Sequence, residues 1–202
     1  MKMKRLTYIF ALICAFSCKP ETYLGPLDSP VGNWDGVKGE FYFNGEMVAE
    51  LDTCVITAIS FYRQGYCCIE GYKGAYPFIY DSSNGDLQID STLWNVTSLT
   101  GAEMVMRFID RIYPDPEPAD PEKEESEDSG DKNGFELPVD YKGVTIDSDS
   151  FGYFYKNSAG RTVYCNFFGL TYQDGKPVVE FWYDTHTSHF IPLVVEEDDE
   201  KK

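Results

Sequence analysis

The chain has 202 residues, a formal charge of −17, and 16% aromatic content. That length is enough for one ordinary domain with a real core. The acidity excludes a nucleic-acid binder, which needs a basic surface to displace counterions, and excludes electrostatic adhesion to anionic lipid headgroups.

The first eighteen residues read as an export signal. Lys2, Lys4 and Arg5 precede an apolar run from Leu6 to Phe16, too short for a comfortable permanent span of a bilayer. The run closes on Ala15-Phe16-Ser17-Cys18 and turns polar at Lys19-Pro20-Glu21. This pattern resembles a bacterial lipoprotein signal with Ala15 to Cys18 as the lipobox; Cys14 fits worse, because bulky Ile13 precedes it. The resemblance implies a signal peptide over 1–17 and acyl chains on Cys18. A Pro/Gly-containing tether follows over 18–30. Three acyl chains satisfy the rule that stable anchoring takes more than one lipid. Lys19, rather than aspartate, after Cys18 implies the outer membrane, with either its periplasmic face or the cell surface open. Without the leader cations the charge is about −20, so the acyl chains are the expected membrane attachment.

A succession of short aromatic and β-branched runs follows. Gly39–Phe43 and Met47–Leu51 flank Asn44-Gly45, the strongest short hairpin signal. Val55–Tyr62 and Tyr66–Tyr72 flank Arg63-Gln64-Gly65, and Pro77–Tyr80 and Leu87–Asp90 flank Ser82-Ser83-Asn84-Gly85. Trp94–Leu99 and Glu103–Tyr113 flank Thr100-Gly101-Ala102. Asp115 to Gly134 then interrupts the pattern, with nine carboxylates between Asp115 and Asp131 and no aromatic or β-branched residue. Such a stretch buries too little apolar surface to offset its ordering entropy, so a disordered acidic loop is expected at 115–134, and likewise a disordered acidic tail at 197–202. Strand signals resume at Val144–Asp147, Phe151–Lys156, Arg161–Tyr172, Lys176–Asp184 and His189–Val195, with turns at Asn157-Ser158-Ala159-Gly160 and Asp174-Gly175. No window shows a convincing helical period. The expectation is all-β: a single domain over 31–196, an antiparallel up-and-down barrel or a β-sandwich. Closing both halves into one body removes exposed edges.

Four cysteines lie beyond the leader: Cys54, Cys67, Cys68 and Cys165. Adjacent Cys67 and Cys68 point to opposite faces of a strand, so one of them could pair with Cys54. The alternative is that these are small buried hydrophobes. There is no paired CxxC spacing for zinc.

Gly32-Asn33-Trp34, just ahead of the first strand, has the glycine-x-tryptophan spacing that opens the lipocalin barrel. Together with the hairpins up to Tyr113, it resembles the lipocalin-like lipoproteins of Gram-negative bacteria. The resemblance implies that Trp34 closes the barrel floor and that a late arginine packs across its ring. Arg107 or Arg111 could serve in that role, while the final strand, His189–Val195, departs from the pattern in having no arginine.

Other candidates weigh less. Phe151, Tyr153 and Tyr155 share a strand face, and Phe181 and Tyr183 alternate with Trp182; such faces more often form a core than a ligand cup. His186 and His189 could ligate a metal with Asp184, but strand spacing of three puts them on opposite faces, in what reads as a turn. Asp147 and Asp149 lack a calcium loop and read as turn residues. No nucleophile elbow, phosphate loop or zincin helix is present, so neither catalysis nor a cofactor is expected. The leading expectation is a lipid-anchored β-barrel that holds a small apolar or amphipathic ligand. The alternatives are an accessory subunit of an envelope complex, with a protein partner, and a carbohydrate-contacting surface protein.

Overall fold

The structure is a computed structural model; residues 26–112 and 136–193 are described here. Cys18, the signal peptide, the acidic loop and the acidic tail lie outside these residues, as does most of the tether.

Fourteen strands form the described chain. The first half gives β1 (Gly32–Phe43), β2 (Glu46–Leu51), β3 (Ala58–Tyr62), β4 (Tyr66–Ile69), β5 (Tyr76–Asp81), β6 (Asp86–Ile89), β7 (Thr92–Leu99) and β8 (Met104–Arg111). The second half gives β9 (Val139–Tyr141), β10 (Val144–Asp149), β11 (Gly152–Lys156), β12 (Thr162–Gln173), β13 (Lys176–Tyr183) and β14 (Thr185–Pro192). The all-β expectation holds, and of its two forms the barrel is the one realised. Strands run β14-β8-β7-β6-β5-β4-β3-β1, and β1 pairs antiparallel with β14 to close an eight-stranded ring. Closure leaves those strands no free edge.

Local chemistry places the turns. Asn44 and Gly45 have φ of 50° and 83°, and Asp174 and Gly175 have φ of 52° and 77°, the positive pair that a tight two-residue hairpin requires. β1 serves two partners in succession. Its start, Gly32–Asp35, pairs with β3, and its end, Gly39–Phe43, pairs with β2. Between them the connection from β2 to β3 crosses close to β1, and Gly36 donates its N–H to the Thr57 carbonyl at 2.7 Å. A Cβ on Gly36 would lie 2.5 Å from the Ile56 carbonyl oxygen, so only glycine permits this approach.

Eight strands leave an interior just wide enough for side chains to fill. Trp34, Ile59, Phe61, Leu87, Trp94, Met104, Met106 and Phe190 fill it here. β9 to β13 form a separate antiparallel sheet in the order β13-β12-β11-β10-β9. It packs on the far end of the β1–β2 hairpin: Phe43 lies among Tyr141, Ile146, Tyr155 and Trp182, while Phe41 meets Phe168, Phe181 and Tyr183. Asp184, between β13 and β14, ties the two sheets together. Its Oδ2 accepts the Asn44 N–H at 2.7 Å and the Tyr155 hydroxyl at 2.6 Å.

The expected last strand, His189–Val195, is corrected to Thr185–Pro192, so the region of the two histidines is strand rather than turn. The reason is two-sided pairing, with β1 along its length and β8 at Thr187–Phe190. β9 was not anticipated. It is three residues long and pairs with β10 around a Lys142-Gly143 turn that also has positive φ.

Candidate functional site

The two ends of the barrel differ. At one end Trp34 is buried, pairs with Ile59 and Pro192, and donates its Nε1–H to the Pro30 carbonyl at 2.8 Å. Gly32, two residues before it, has φ of +149°, a backbone conformation that residues with a side chain rarely adopt.

The other end stays open as a pocket of about 260 Å³. It is framed by the start of β14, the end of β8, the β4–β5 and β6–β7 turns, and Asn166, Tyr183 and Asp184 from the neighbouring sheet. Ile56, Ile69, Ile89, Trp94 and Phe108 give it an apolar wall, and Asp90, Arg111 and Asp184 are its charged members. A depression of about 460 Å³ adjoins it and shares Phe108, Arg111, Asn166 and Asp184.

His186 lies in the lining and is only 5% exposed. Phe108 stacks on it with ring centroids 5.4 Å apart and planes at 7°, and Phe41 lies 6.2 Å away at 27°. Trp94 and Tyr183 stand nearly perpendicular to it, at 5.2 and 5.7 Å. Neither ring nitrogen has a hydrogen-bond partner in the protein. Burial pushes the imidazole down to about 4, so the ring is neutral near pH 7.

His189 faces the other side of β14, with its Nε2 3.2 Å from Glu40 Oε1. Lys38 reaches the same oxygen at 3.1 Å and Glu50 at 3.0 Å. Burial opposes ionisation of the Glu40 carboxyl, but hydrogen bonds from Lys38 and Tyr42, with the nearby His189, outweigh it and hold the group below its ordinary range. The two histidines therefore share no site. Among the described residues, no three or more His, Cys, Asp or Glu side chains gather closely enough to hold a metal ion.

Neither candidate arginine lies across Trp34. Arg107 sits 5.7 Å over the ring of Tyr42 on the outer face, and Arg111 stands at the pocket rim. Strand alternation explains the correction, because Arg107 lies between inward-facing Met106 and Phe108 and so must point out.

Cys54, Cys67, Cys68 and Cys165 are free thiols, so of the two readings the disulfide is not the one realised. Cys67 faces the barrel core opposite Phe61 and Tyr76, and Cys68 faces the other way. Cys54 lies against β1 and donates its thiol to the Lys38 carbonyl at 2.9 Å, while Cys165 lies in the core of the second sheet. Burial raises all three inward thiols, Cys67 to about 11 and Cys165 to about 12.

The aromatic faces are mostly core. Phe181, Trp182 and Tyr183 are all buried, because β13 presents one face to Phe41 and the other to the second sheet's interior. Asp149 is a turn residue that accepts the Phe151 and Gly152 N–H groups, and Asp147 accepts the Ser148 N–H.

No protein family matches the chain, and no similarity to a curated protein or to a solved structure is found.

The sequence named His186 as a metal candidate but not as a pocket residue. The overlooked signal was alternation, since His186, Ser188 and Phe190 take one face and Thr185, Thr187 and His189 the other.

Proposed function

We propose that this is an exported, lipid-anchored β-barrel protein that holds a small apolar or amphipathic ligand at the mouth of its barrel. One observation carries the reading: an apolar pocket at the open end of the barrel contains a buried imidazole with no hydrogen-bond partner. Ligand sites in barrels occur at their mouths, with apolar walls and a few placed polar groups. The filled centre limits the ligand. Among the described residues Trp34, Phe61, Met104 and Phe190 fill the barrel centre, which leaves room at the mouth for a small ligand and none for a deep lipocalin-like cup. The anchor rests on the sequence pattern at Ala15–Cys18.

A second reading, an accessory subunit of an envelope complex, draws on the outer face of the barrel. Ile79 and Ile109 are 70% and 51% exposed there and border one shallow depression with Leu93.

Native mass spectrometry of the protein purified from its own cells in mild detergent tests both. The proposal expects a chain that begins at acylated Cys18 and retains a small mass displaced when the pocket is blocked by Ile69→Trp. A chain without acyl mass overturns the anchor. A retained protein with an empty pocket favours the second reading over the first.

A further inference from the structure

We infer that the mouth pocket selects an uncharged ligand bearing a hydroxyl, which hydrogen-bonds to the imidazole of His186. The inference rests on the reading of this pocket as a ligand site and adds the chemistry of the ligand's polar group.

Buried side-chain polar atoms nearly always have a partner, and one that lacks it asks for an explanation. His186 has two such atoms, both within a ring that is 5% exposed. The rings packed on it are aromatic, and the buried Thr185 and Ser188 hydroxyls on the same strand make no hydrogen bond to it. Phe108 and Phe41 lie along its faces and Trp94 and Tyr183 stand at its edges. Ring faces accept an N–H only weakly, so these contacts do not replace a hydrogen bond. Asp184, the nearest carboxylate in sequence, turns its Oδ2 to the Tyr155 hydroxyl and the Asn44 N–H and makes no hydrogen bond to the ring. The partner must then come from the pocket.

The neutral imidazole narrows its chemistry. One ring nitrogen donates and the other accepts, and a hydroxyl can meet either, because it is both donor and acceptor. A carboxylate could use only the donor nitrogen. It would also bring a negative charge among aromatic rings beside Asp90 and Asp184, with Arg111 alone opposing them. An ammonium would be drawn by Asp90 and Asp184, but it could use only the acceptor nitrogen and would have to shed its hydration among the aromatic walls. An apolar ring fits the walls formed by Ile69, Ile89 and Trp94 but leaves the imidazole unpaired.

Four probes of similar size separate these cases: 4-fluorophenol, fluorobenzene, 4-fluorobenzoate and 4-fluorobenzylammonium. Each is titrated against the full chain in lipid nanodiscs and followed by fluorine NMR. Empty nanodiscs of the same lipid correct for partition into the bilayer. The expected result is that 4-fluorophenol binds about tenfold more tightly than fluorobenzene, the difference expected of one hydrogen bond to an otherwise unpaired group. His186→Phe abolishes the preference, and His186→Gln, which keeps a donor and an acceptor, restores most of it. Equal affinity for phenol and fluorobenzene overturns the hydroxyl assignment and leaves the pocket standing. Tightest binding of the benzoate or the ammonium overturns the uncharged class. No binding of any probe beyond lipid partition, with the protein and both variants folded, overturns the pocket reading itself.

Discussion

Replacing His186 with phenylalanine should remove an acid sensitivity from the fold. The imidazole is pushed from 6.5 to about 4 by burial, so the folded protein holds it neutral while the unfolded chain protonates it below about pH 6.5. Between those values the unfolded state binds one more proton, and stability falls as pH falls. The difference corresponds to about 3 kcal/mol, at 1.36 kcal/mol per pH unit, lost between pH 6.5 and 4 and constant below. Phenylalanine fits the ring environment of Phe41, Phe108, Trp94 and Tyr183 without this penalty. It also replaces an unpartnered polar ring, so the variant should be at least as stable at pH 7.5. The assay is urea unfolding followed by tryptophan fluorescence from pH 7.5 to 4 for both proteins. Carboxyls held low in the fold, such as Glu40 and Asp81, contribute stability that disappears at lower pH still, and they contribute equally to both. They cancel in the difference, which should widen by about 3 kcal/mol in favour of the variant. A difference that stays constant with pH would refute the placement of a neutral imidazole inside the barrel.

Three further outcomes follow from the packing. Gly36→Ala and Gly39→Ala should each cost about 2–4 kcal/mol, because a Cβ would press on the carbonyls of Ile56 and Thr53. Gly45→Ala, at φ +83° but in open space, should cost about 1 kcal/mol, and thermal melts that fail to separate the three would contradict the close crossing over β1. Asp184→Ala and Tyr155→Phe should show a coupling of about 1–3 kcal/mol in a double-mutant cycle, since the 2.6 Å bond joins the two sheets; simple additivity would remove that role. Among the four cysteines outside the leader, iodoacetamide should label Cys68 alone in the native protein. Cys54, Cys67 and Cys165 should need denaturant, as buried thiols with raised titration points react slowly, and intact mass after labelling counts the alkyl groups.

What the sequence made legible was local. Asn44-Gly45 and Asp174-Gly175 are turns because their backbone demands residues that tolerate positive φ, and neighbouring residues alone reveal it. Trp34 is a buried core residue, while the arginine that the lipocalin resemblance implied across its ring points elsewhere. The misplaced element was β14, whose inward positions begin with His186 and Ser188 rather than with apolar residues, so alternation emerges only at Phe190. What makes this segment a strand is its pairing with β1, from Tyr42↔Thr185 to Trp34↔Pro192, a partner about 150 positions away that leaves no local trace. The same pairing decides the site. Phe41 opposite His186 in the β1–β14 register is fully buried, so the imidazole has to turn inward with it. A polar residue carried inward on the closing strand, at the one end of the barrel that side chains do not fill, is legible only after the ring is closed.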